Sequence, residues 1–204
     1  MQALLFEMTP RDGHEGHYFR HAATLRPIVM QHEGLVYIER FKSLSRPRVI
    51  LSHSLWRDEA SIARWRTDRE HHKSQVAGRY QHFEDYRIRI SHVFSYAEPD
   101  MPQKEWSRDG AYNVSAGTAD RFVTVIRSRE RPSDKAGEVF ESVTEPGSYL
   151  SIGDGVSEGE ARAIIDGAKS DAGVLSALLG RVTRDYGMYD RAEAPQYFAP
   201  VGDQ

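Results

Sequence analysis

The 204-residue sequence predicts an α+β fold made of two related halves. One observation is the alternation of short apolar stretches with longer helical patterns over the first half. A second is a set of short segments that recurs about 100 residues later in the chain. A third is an ordinary globular composition, 39% hydrophobic and 28% charged, which is sufficient for a real core.

The first half is predicted to run β-α-β-β-α-β. Asp58 is the expected N-cap of the second helical region, and Pro27 should open the first helix near its end. Two β-α-β units that share one antiparallel sheet make a ferredoxin-like domain. The predicted strands cover residues 2–8, 35–42, 49–56 and 86–94, and the predicted helices cover residues 14–31, 58–69 and 71–80.

The second half repeats short segments of the first. The run Phe41–Pro47 followed by Leu51-Ser52 recurs as Phe140–Pro146 followed by Leu150-Ser151, at a constant offset of 99 residues. Only about ten residues follow the repeat's first strand before the next one, so the repeat's first helix is expected to be shortened or lost. The predicted organisation is a first domain at 1–97, a linker at 98–119 and a degenerate repeat at 120–204.

Composition excludes several classes of protein. The net charge of −3 argues against a nucleic-acid binder, and the absence of cysteine removes thiolate metal sites and cysteine nucleophiles. No apolar run is long enough to span a bilayer, and the first residues lack the pattern of a signal peptide. We therefore expect a cytoplasmic protein with neither nucleic acid nor membrane as a partner.

The nine histidines all lie at or before His92. Any histidine-dependent chemistry is therefore expected in the first half. The i, i+3, i+7 spacing of His14, His17 and His21 is compatible with a metal site, but no carboxylate pattern accompanies it. A solvated helix face is the favoured interpretation, and no metal is predicted.

Several short segments in the correct order resemble one family. They are Glu39-Arg40-Phe41, Ser54–Glu59, Trp65-Arg66, Glu70-His71 with Gln75, Gly78-Arg79 and Asp85-Tyr86-Arg87. Together they make residues 2–95 similar to the antibiotic biosynthesis monooxygenase superfamily, whereas the second half resembles it only weakly.

The resemblance implies ferredoxin-like repeats whose antiparallel sheets pair as a dimeric α/β barrel. Members are generally homodimers of single domains. A tandem chain can make that pairing internally, with the degenerate half as the partner sheet, and a homodimer of the whole chain is also expected. The physical reason is that one sheet face is covered by helices and the other needs a second sheet.

The resemblance also points to candidate catalytic residues. Trp65 is expected to form an aromatic wall against the substrate, with helix packing as the alternative. His71 is the candidate general base or hydrogen-bonding group, with a surface or capping role as the alternative. Arg79 is a candidate cation for a substrate oxyanion, although its recurrence as Arg181 favours a structural role.

Three further residues on neighbouring strands are candidate substrate-binding groups: His53, Tyr37 and Glu7. His53 is expected to point to the opposite face from Ser52 and Ser54, because side chains alternate along a strand.

The expected function is cofactor-independent monooxygenation of a small, electron-rich aromatic molecule, a phenol or quinol, with O₂ as the second partner. Such chemistry needs an aromatic wall, a proton acceptor and a donor for oxyanion charge in a dry pocket. One alternative is a haem-binding or haem-degrading monooxygenase, although the first strand lacks the Asn of that subgroup. Another is a non-catalytic binding or structural module.

Overall fold

The structure is a computed structural model that describes residues 1–99, 101–107, 120–132, 137–199 and 201. Its nine strands are β1 (Gln2–Pro10), β2 (Leu35–Ser43), β3 (Ile50–Trp56), β4 (Phe83–Ala97), β5 (Lys104–Glu105), β6 (Phe122–Ser128), β7 (Glu138–Ser142), β8 (Tyr149–Val156) and β9 (Val174–Gly187). Its α-helices are α1 (Glu15–Val29), α2 (Glu59–Arg66), α3 (Arg69–Ala77) and α4 (Glu158–Lys169).

Eight of these strands form a closed antiparallel barrel. The order around it is β1-β3-β2-β7-β8-β6-β9-β4, and β4 pairs with β1 to close the ring. The short β5 adds to the end of β4. The predicted α+β fold with paired antiparallel sheets is therefore confirmed.

The two halves have the same connectivity. The strands of the first half lie in the order β4-β1-β3-β2, and those of the second lie in the order β9-β6-β8-β7. They join at two seams, a long one between β4 and β9 and a short one between β2 and β7. The proposed domain boundaries stay a prediction, and most of the predicted linker, residues 108–119, lies outside the described residues.

The barrel interior is the main core. Side chains alternate along each strand, so every strand sends every second residue inward. The inward set is mostly aliphatic and includes Leu5, Phe41, Leu51, Phe140 and Leu150, which are all completely buried. The second sheet thus covers the face that the first sheet alone would expose.

The helices lie on the outside of the barrel. Helix α1 runs through Pro27, which lies within its last turn. Asp58 caps α2 by accepting a hydrogen bond from the Ser61 backbone at 2.8 Å, as predicted. Asp68 caps α3 in the same way, and a π-helical turn at Gly78–His82 leads directly into β4.

In the second half only α4 covers the sheet among the described residues. The described residues between β6 and β7, 129–132 and 137, contain no helix. Ser157 and Glu160 form a reciprocal capping box at the start of α4. Its inner face packs on the sheet through Ala161 and Ile165.

Throughout the described ranges, no helix combines the length and the apolar character that a membrane span requires.

Candidate active site

A cavity of about 190 Å³ lies between the first half of the barrel and the helices α1, α2 and α3. We call it the helix-side cavity. This volume is below the roughly 300–1,000 Å³ of drug-sized ligand sites, so the cavity fits a small molecule. Its apolar lining includes Leu4, Phe6, Leu25, Val29, Ile38, Ile62, Trp65, Ile88 and Ile90.

Alternation along the strands selects which residues reach this cavity. Leu4 and Phe6 of β1 line it, and so do Ser52 and Ser54 of the neighbouring β3. The residues between them point into the barrel instead. The floor of the cavity is therefore the outer face of the same sheet whose inner face forms the barrel core.

Gly34 sets the position of α2 above this floor. Its backbone has φ +90°, and an added Cβ would lie 2.1 Å from the Ser61 Oγ. Only glycine combines this backbone conformation with such a close approach. The helix that carries Trp65 is thereby held against the end of α1.

Trp65 and His71 form a stacked pair in the wall of the cavity. Their ring centroids are 4.0 Å apart with an interplanar angle of 10°, and Trp65 is only 8% exposed. His32 contacts the indole in an edge arrangement, with centroids 5.0 Å apart. Two of the predicted catalytic residues therefore meet in the helix-side cavity.

The hydrogen bonds of His71 define its tautomer. Its Nδ1 lies 2.9 Å from the backbone oxygen of Trp65, and because a carbonyl can only accept, Nδ1 donates. Burial lowers the His71 pKa to about 4, against a smaller opposing effect of that carbonyl. The neutral ring then carries its lone pair on Nε2, which has no hydrogen-bond partner within the described part of the chain.

The charged side chains that line the cavity are all positive. Its lining includes Arg40, Arg66 and Arg191, with His21, His71 and His82, and contains no described Asp or Glu. Such a lining favours ligands that carry a negative charge or develop one during reaction.

Arg79 is buried but does not line the cavity. It is 3% exposed and donates to the Tyr86 hydroxyl at 3.0 Å and to the backbone oxygen of Met188 at 2.7 Å. It also donates to the backbone oxygen of Ala199 at 3.3 Å. These contacts give Arg79 a structural role, although Arg181 lies within β9 and is not its structural counterpart.

His53, Tyr37 and Glu7 face the barrel interior rather than the cavity. His53 alternates with the cavity-lining serines on β3, as expected, and is 1% exposed next to the Tyr37 ring. Burial lowers the His53 pKa to about 3. Tyr37 donates to Glu39 at 2.5 Å. The structure thus brings Trp65 and His71 together and places these three residues on the opposite side of the sheet.

Glu7 belongs to an ion network inside one end of the barrel. Its carboxylate pairs with Arg46 and with the buried Arg89. Arg89 reaches across to Asp154 of the second half at 2.6 Å. This network holds the two halves together, which explains a buried Glu on β1 without a ligand.

Four histidines lie together at one end of the cavity. The Nδ1 atoms of His14 and His82 are 3.1 Å apart, and His17 stacks on His82 with centroids 4.8 Å apart. His21 lies next to the same ring. The described residues nevertheless contain no group of three or more ligands in a metal-binding arrangement.

A segment that the sequence analysis missed also reaches the cavity. Residues 188–199, which we call the C-terminal segment, follow β9 and cross back to the first half. This segment contributes Arg191, Gln196 and Phe198 to the lining. The adjacent aromatic residues Tyr197 and Phe198, in an otherwise polar stretch, are the feature of the sequence that could have pointed to this contact.

Comparison with known proteins agrees with this architecture. The chain matches the family described as antibiotic biosynthesis monooxygenase over residues 1–77. Among solved structures it is similar to an aldoxime dehydratase bound to butyraldoxime, with a TM-score of 0.56, 7% identity and coverage of 88% of this chain and 79% of the other. An anthrone oxidase-like protein has a TM-score of 0.40 at 13% identity, with coverage of 96% of both chains. The similarity to the aldoxime dehydratase, at 7% identity, concerns the fold alone.

A relative with curated function matches the chain along its whole length. The protein named "Jasmonate monooxygenase ABM" from Pyricularia oryzae is 33% identical over 98% of this chain and 100% of its own length. The resemblance inferred from short segments of the first half therefore extends through the second. The chain belongs to the antibiotic biosynthesis monooxygenase family of monooxygenases.

Proposed function

We propose that the protein inserts one oxygen atom of O₂ into a small, mostly apolar molecule held in the helix-side cavity. The observation that carries the proposal is the stacked Trp65–His71 pair in the cavity wall, with an unpartnered Nε2 on a neutral imidazole. This arrangement provides an aromatic surface and a hydrogen-bond acceptor within a largely apolar space.

An electron-rich phenol or quinol is the substrate class that this geometry fits best. Nε2 of His71 would accept the hydroxyl proton as negative charge develops on the ring, and the cationic lining would stabilise that charge. The substrate itself then supplies the electrons. For 1-naphthol, one O₂ converts the para C–H into C=O and the second oxygen atom leaves as water, which gives 1,4-naphthoquinone and needs no further reductant.

A jasmonate-like molecule is the second candidate, and the full-length relative favours it. Jasmonate is a small cyclopentanone carboxylate, so it combines an apolar body with one anionic group. The cavity offers an apolar floor together with Arg40 and Arg191. Hydroxylation of its side chain consumes two electrons beyond those of the C–H bond, so this route also requires a reduced nicotinamide or flavin as a donor.

Haem and simple binding are less consistent with the site. The helix-side cavity, at about 190 Å³, is smaller than haem requires. A purely structural module would not need an unpartnered imidazole nitrogen beside an apolar cavity. Cofactor independence remains part of the phenol proposal alone.

Oxygen uptake with defined substrates tests the proposal. We expect uptake with 1-naphthol and no added reductant, or with jasmonate only when a reduced nicotinamide or flavin is supplied. With ¹⁸O₂, mass spectrometry should show one labelled oxygen atom in the product. Absence of substrate-dependent uptake under both conditions would overturn the proposed activity, and a spectral shift with hemin that depends on His71 would favour the haem alternative.

A further inference from the structure

We infer that Arg191 is a specificity-determining residue that binds an anionic oxygen of the ligand, so that the second half of the chain selects what the first half oxidises. The inference rests on the proposed function in one respect, since it takes the helix-side cavity as the substrate site. It names a ligand class for that site: small apolar molecules with one carboxylate or phenolate group.

The C-terminal segment is fixed over the cavity rather than free. Its two ends are held by Arg79, which donates to the backbone oxygens of Met188 and Ala199 at 2.7 and 3.3 Å. Tyr80 donates to the same Ala199 oxygen at 3.1 Å. Phe198 packs against His72, with ring centroids 5.9 Å apart. The segment therefore forms one wall of the site.

Arg191 is held in this wall by neutral groups only. It donates to the Tyr86 hydroxyl at 3.0 Å and to the backbone oxygens of Gly187 and Gln196 at 3.2 and 2.9 Å. Its guanidinium also lies 5.3 Å from the centre of the Tyr186 ring. Among the described residues, no carboxylate pairs with it. These contacts orient the cation, and none of them, within the described ranges, supplies a negative charge.

The rest of the cavity does not supply the missing counter-charge. Arg40 donates to the Tyr18 hydroxyl at 3.2 Å and likewise has no carboxylate partner in the described ranges. Arg66 alone has one, Glu59, at 3.8 Å. A guanidinium in a mostly apolar cavity is costly unless it is paired, and an anionic ligand would pair it.

Arg191 is also connected to the reactive pair. Its Nη2 donates to the Gln196 backbone, and the Gln196 side chain donates to Gln75 Oε1 at 3.1 Å. Gln75 Nε2 donates to the Arg66 backbone oxygen at 3.3 Å and lies beside the His71 ring without a hydrogen bond to it, since both nitrogen atoms are donors. The chain of contacts joins the second half to His71. A ligand anchored by Arg191 would therefore lie at a fixed position relative to the imidazole.

A comparison of two ligands of the same shape, one charged and one neutral, tests whether the site recognises the negative charge or only the apolar body. The probes are 2-naphthoate and 2-naphthamide, measured by isothermal titration calorimetry on the full chain. Because charge-assisted hydrogen bonds are about twice as strong as neutral ones, we expect the wild type to bind naphthoate about 10–100-fold more tightly. R191Q should remove most of this preference, R191K should retain part of it, and R162Q on the exposed face of α4 should leave it unchanged.

Several results would overturn the inference: equal affinity of the wild type for both probes, binding of neither, or an unchanged preference in R191Q. Should R191Q fail to fold, R191K decides together with R40Q, because full preference in R191K and its loss in R40Q would assign the anion to Arg40. A protein that prefers naphthoate yet consumes no oxygen would overturn the proposed activity and leave this inference standing. Oxygen uptake without any preference for naphthoate over naphthamide would overturn this inference and leave the proposed activity standing.

Discussion

Nδ1 of His71 donates a hydrogen bond to the backbone oxygen of Trp65 at 2.9 Å, and the two rings stack with centroids 4.0 Å apart. The bond fixes the tautomer, and the stacking fixes the plane in which Nε2 points. A group held in this way needs no reorganisation before it accepts a proton. The pair is therefore the natural target for mutagenesis.

Replacement of His71 by Asn should lower turnover by about 10²-fold, because removal of a positioned proton acceptor typically costs that much. Oxygen uptake under saturating substrate measures the effect. The matched control is Lys73→Gln, since Lys73 also lies on α3, is exposed and does not line the cavity. Equal losses in both variants would remove His71 from the mechanism.

Replacement of Trp65 should separate packing from catalysis. Trp65 is 8% exposed within a cluster that contains Val29, Trp56, Ile62 and Ile90. Truncation to Ala should therefore cost about 3 kcal/mol of the free energy of unfolding, and turnover in that variant would be difficult to interpret. Trp65→Phe keeps an aromatic face and should lose much less stability. Urea denaturation of both variants checks this. If both variants unfolded at the same urea concentration as the wild type, the indole would not be a packing element.

Acidification should destabilise the fold through His71. Its pKa is lowered to about 4 by burial, whereas an unfolded histidine titrates near 6.5. Between these values the unfolded chain binds more protons, so stability is complete above about pH 6.5 and falls as the pH drops toward 4. After allowance for the partial exposure of His71, we expect a contribution of about 1–2 kcal/mol. Denaturation midpoints between pH 7 and 4 should fall less steeply in His71→Asn than in the wild type, and parallel curves would contradict this.

Gly34 should be intolerant of any side chain. Its φ of +90° and the 2.1 Å approach of an added Cβ to Ser61 Oγ together predict a loss of about 2–4 kcal/mol for Gly34→Ala. Gly13→Ala is the matched control, because Gly13 has φ +75° with no atom within 4 Å of the added Cβ. That variant reports backbone strain alone, about 1 kcal/mol. If both variants lose the same amount in urea denaturation, the contact with Ser61 is unimportant.

Glu7 and Arg89 should behave as a structural pair. Arg89 is 3% exposed and contacts both Glu7 and Asp154, so Arg89→Met leaves the buried Glu7 carboxylate with the half-exposed Arg46 as its remaining partner among the described residues. We expect a loss of about 3–5 kcal/mol. Adding Glu7→Gln should recover part of it, because the buried group that has lost Arg89 then carries no charge. A double variant that is no more stable than the single one would contradict this coupling.

The architecture was predictable because its signals are local. Alternation in Leu35–Lys42, the capping residue Asp58 and the repeated Phe-to-Pro segment each depend on neighbouring residues, and together they specify sheets that must pair. The prediction of the second helical region was less accurate. Helix α2 already ends at Arg66, Asp68 caps the start of α3, and the π-helical turn at Gly78–His82 replaces the end of the predicted helix.

The candidate site was predictable only in part. Trp65 lies at the end of α2 and His71 lies in the first turn of α3. The short turn between the two helices therefore brings the two rings together. His53, Tyr37 and Glu7 lie on strands whose two faces both carry buried residues, and sequence alone did not say which face meets the cavity. Arg191 is more than 100 residues from His71 and reaches it only through barrel closure, a long-range event without a local signature.

Because the barrel closes within one polypeptide, its two halves need not have the same amino-acid sequence. When a barrel is assembled from two copies of one domain, every substitution occurs twice, so a residue that is useful at one place must be tolerated at its symmetric counterpart. Here Gly78 and Arg79 lie in the π-helical turn before β4, where Arg79 anchors the C-terminal segment, whereas Gly180 and Arg181 lie within β9 and pair with β4 and β6. The fused arrangement allows an asymmetric pocket in which one lobe supplies reactivity and the other supplies selection, and a ligand should saturate it at one equivalent per polypeptide.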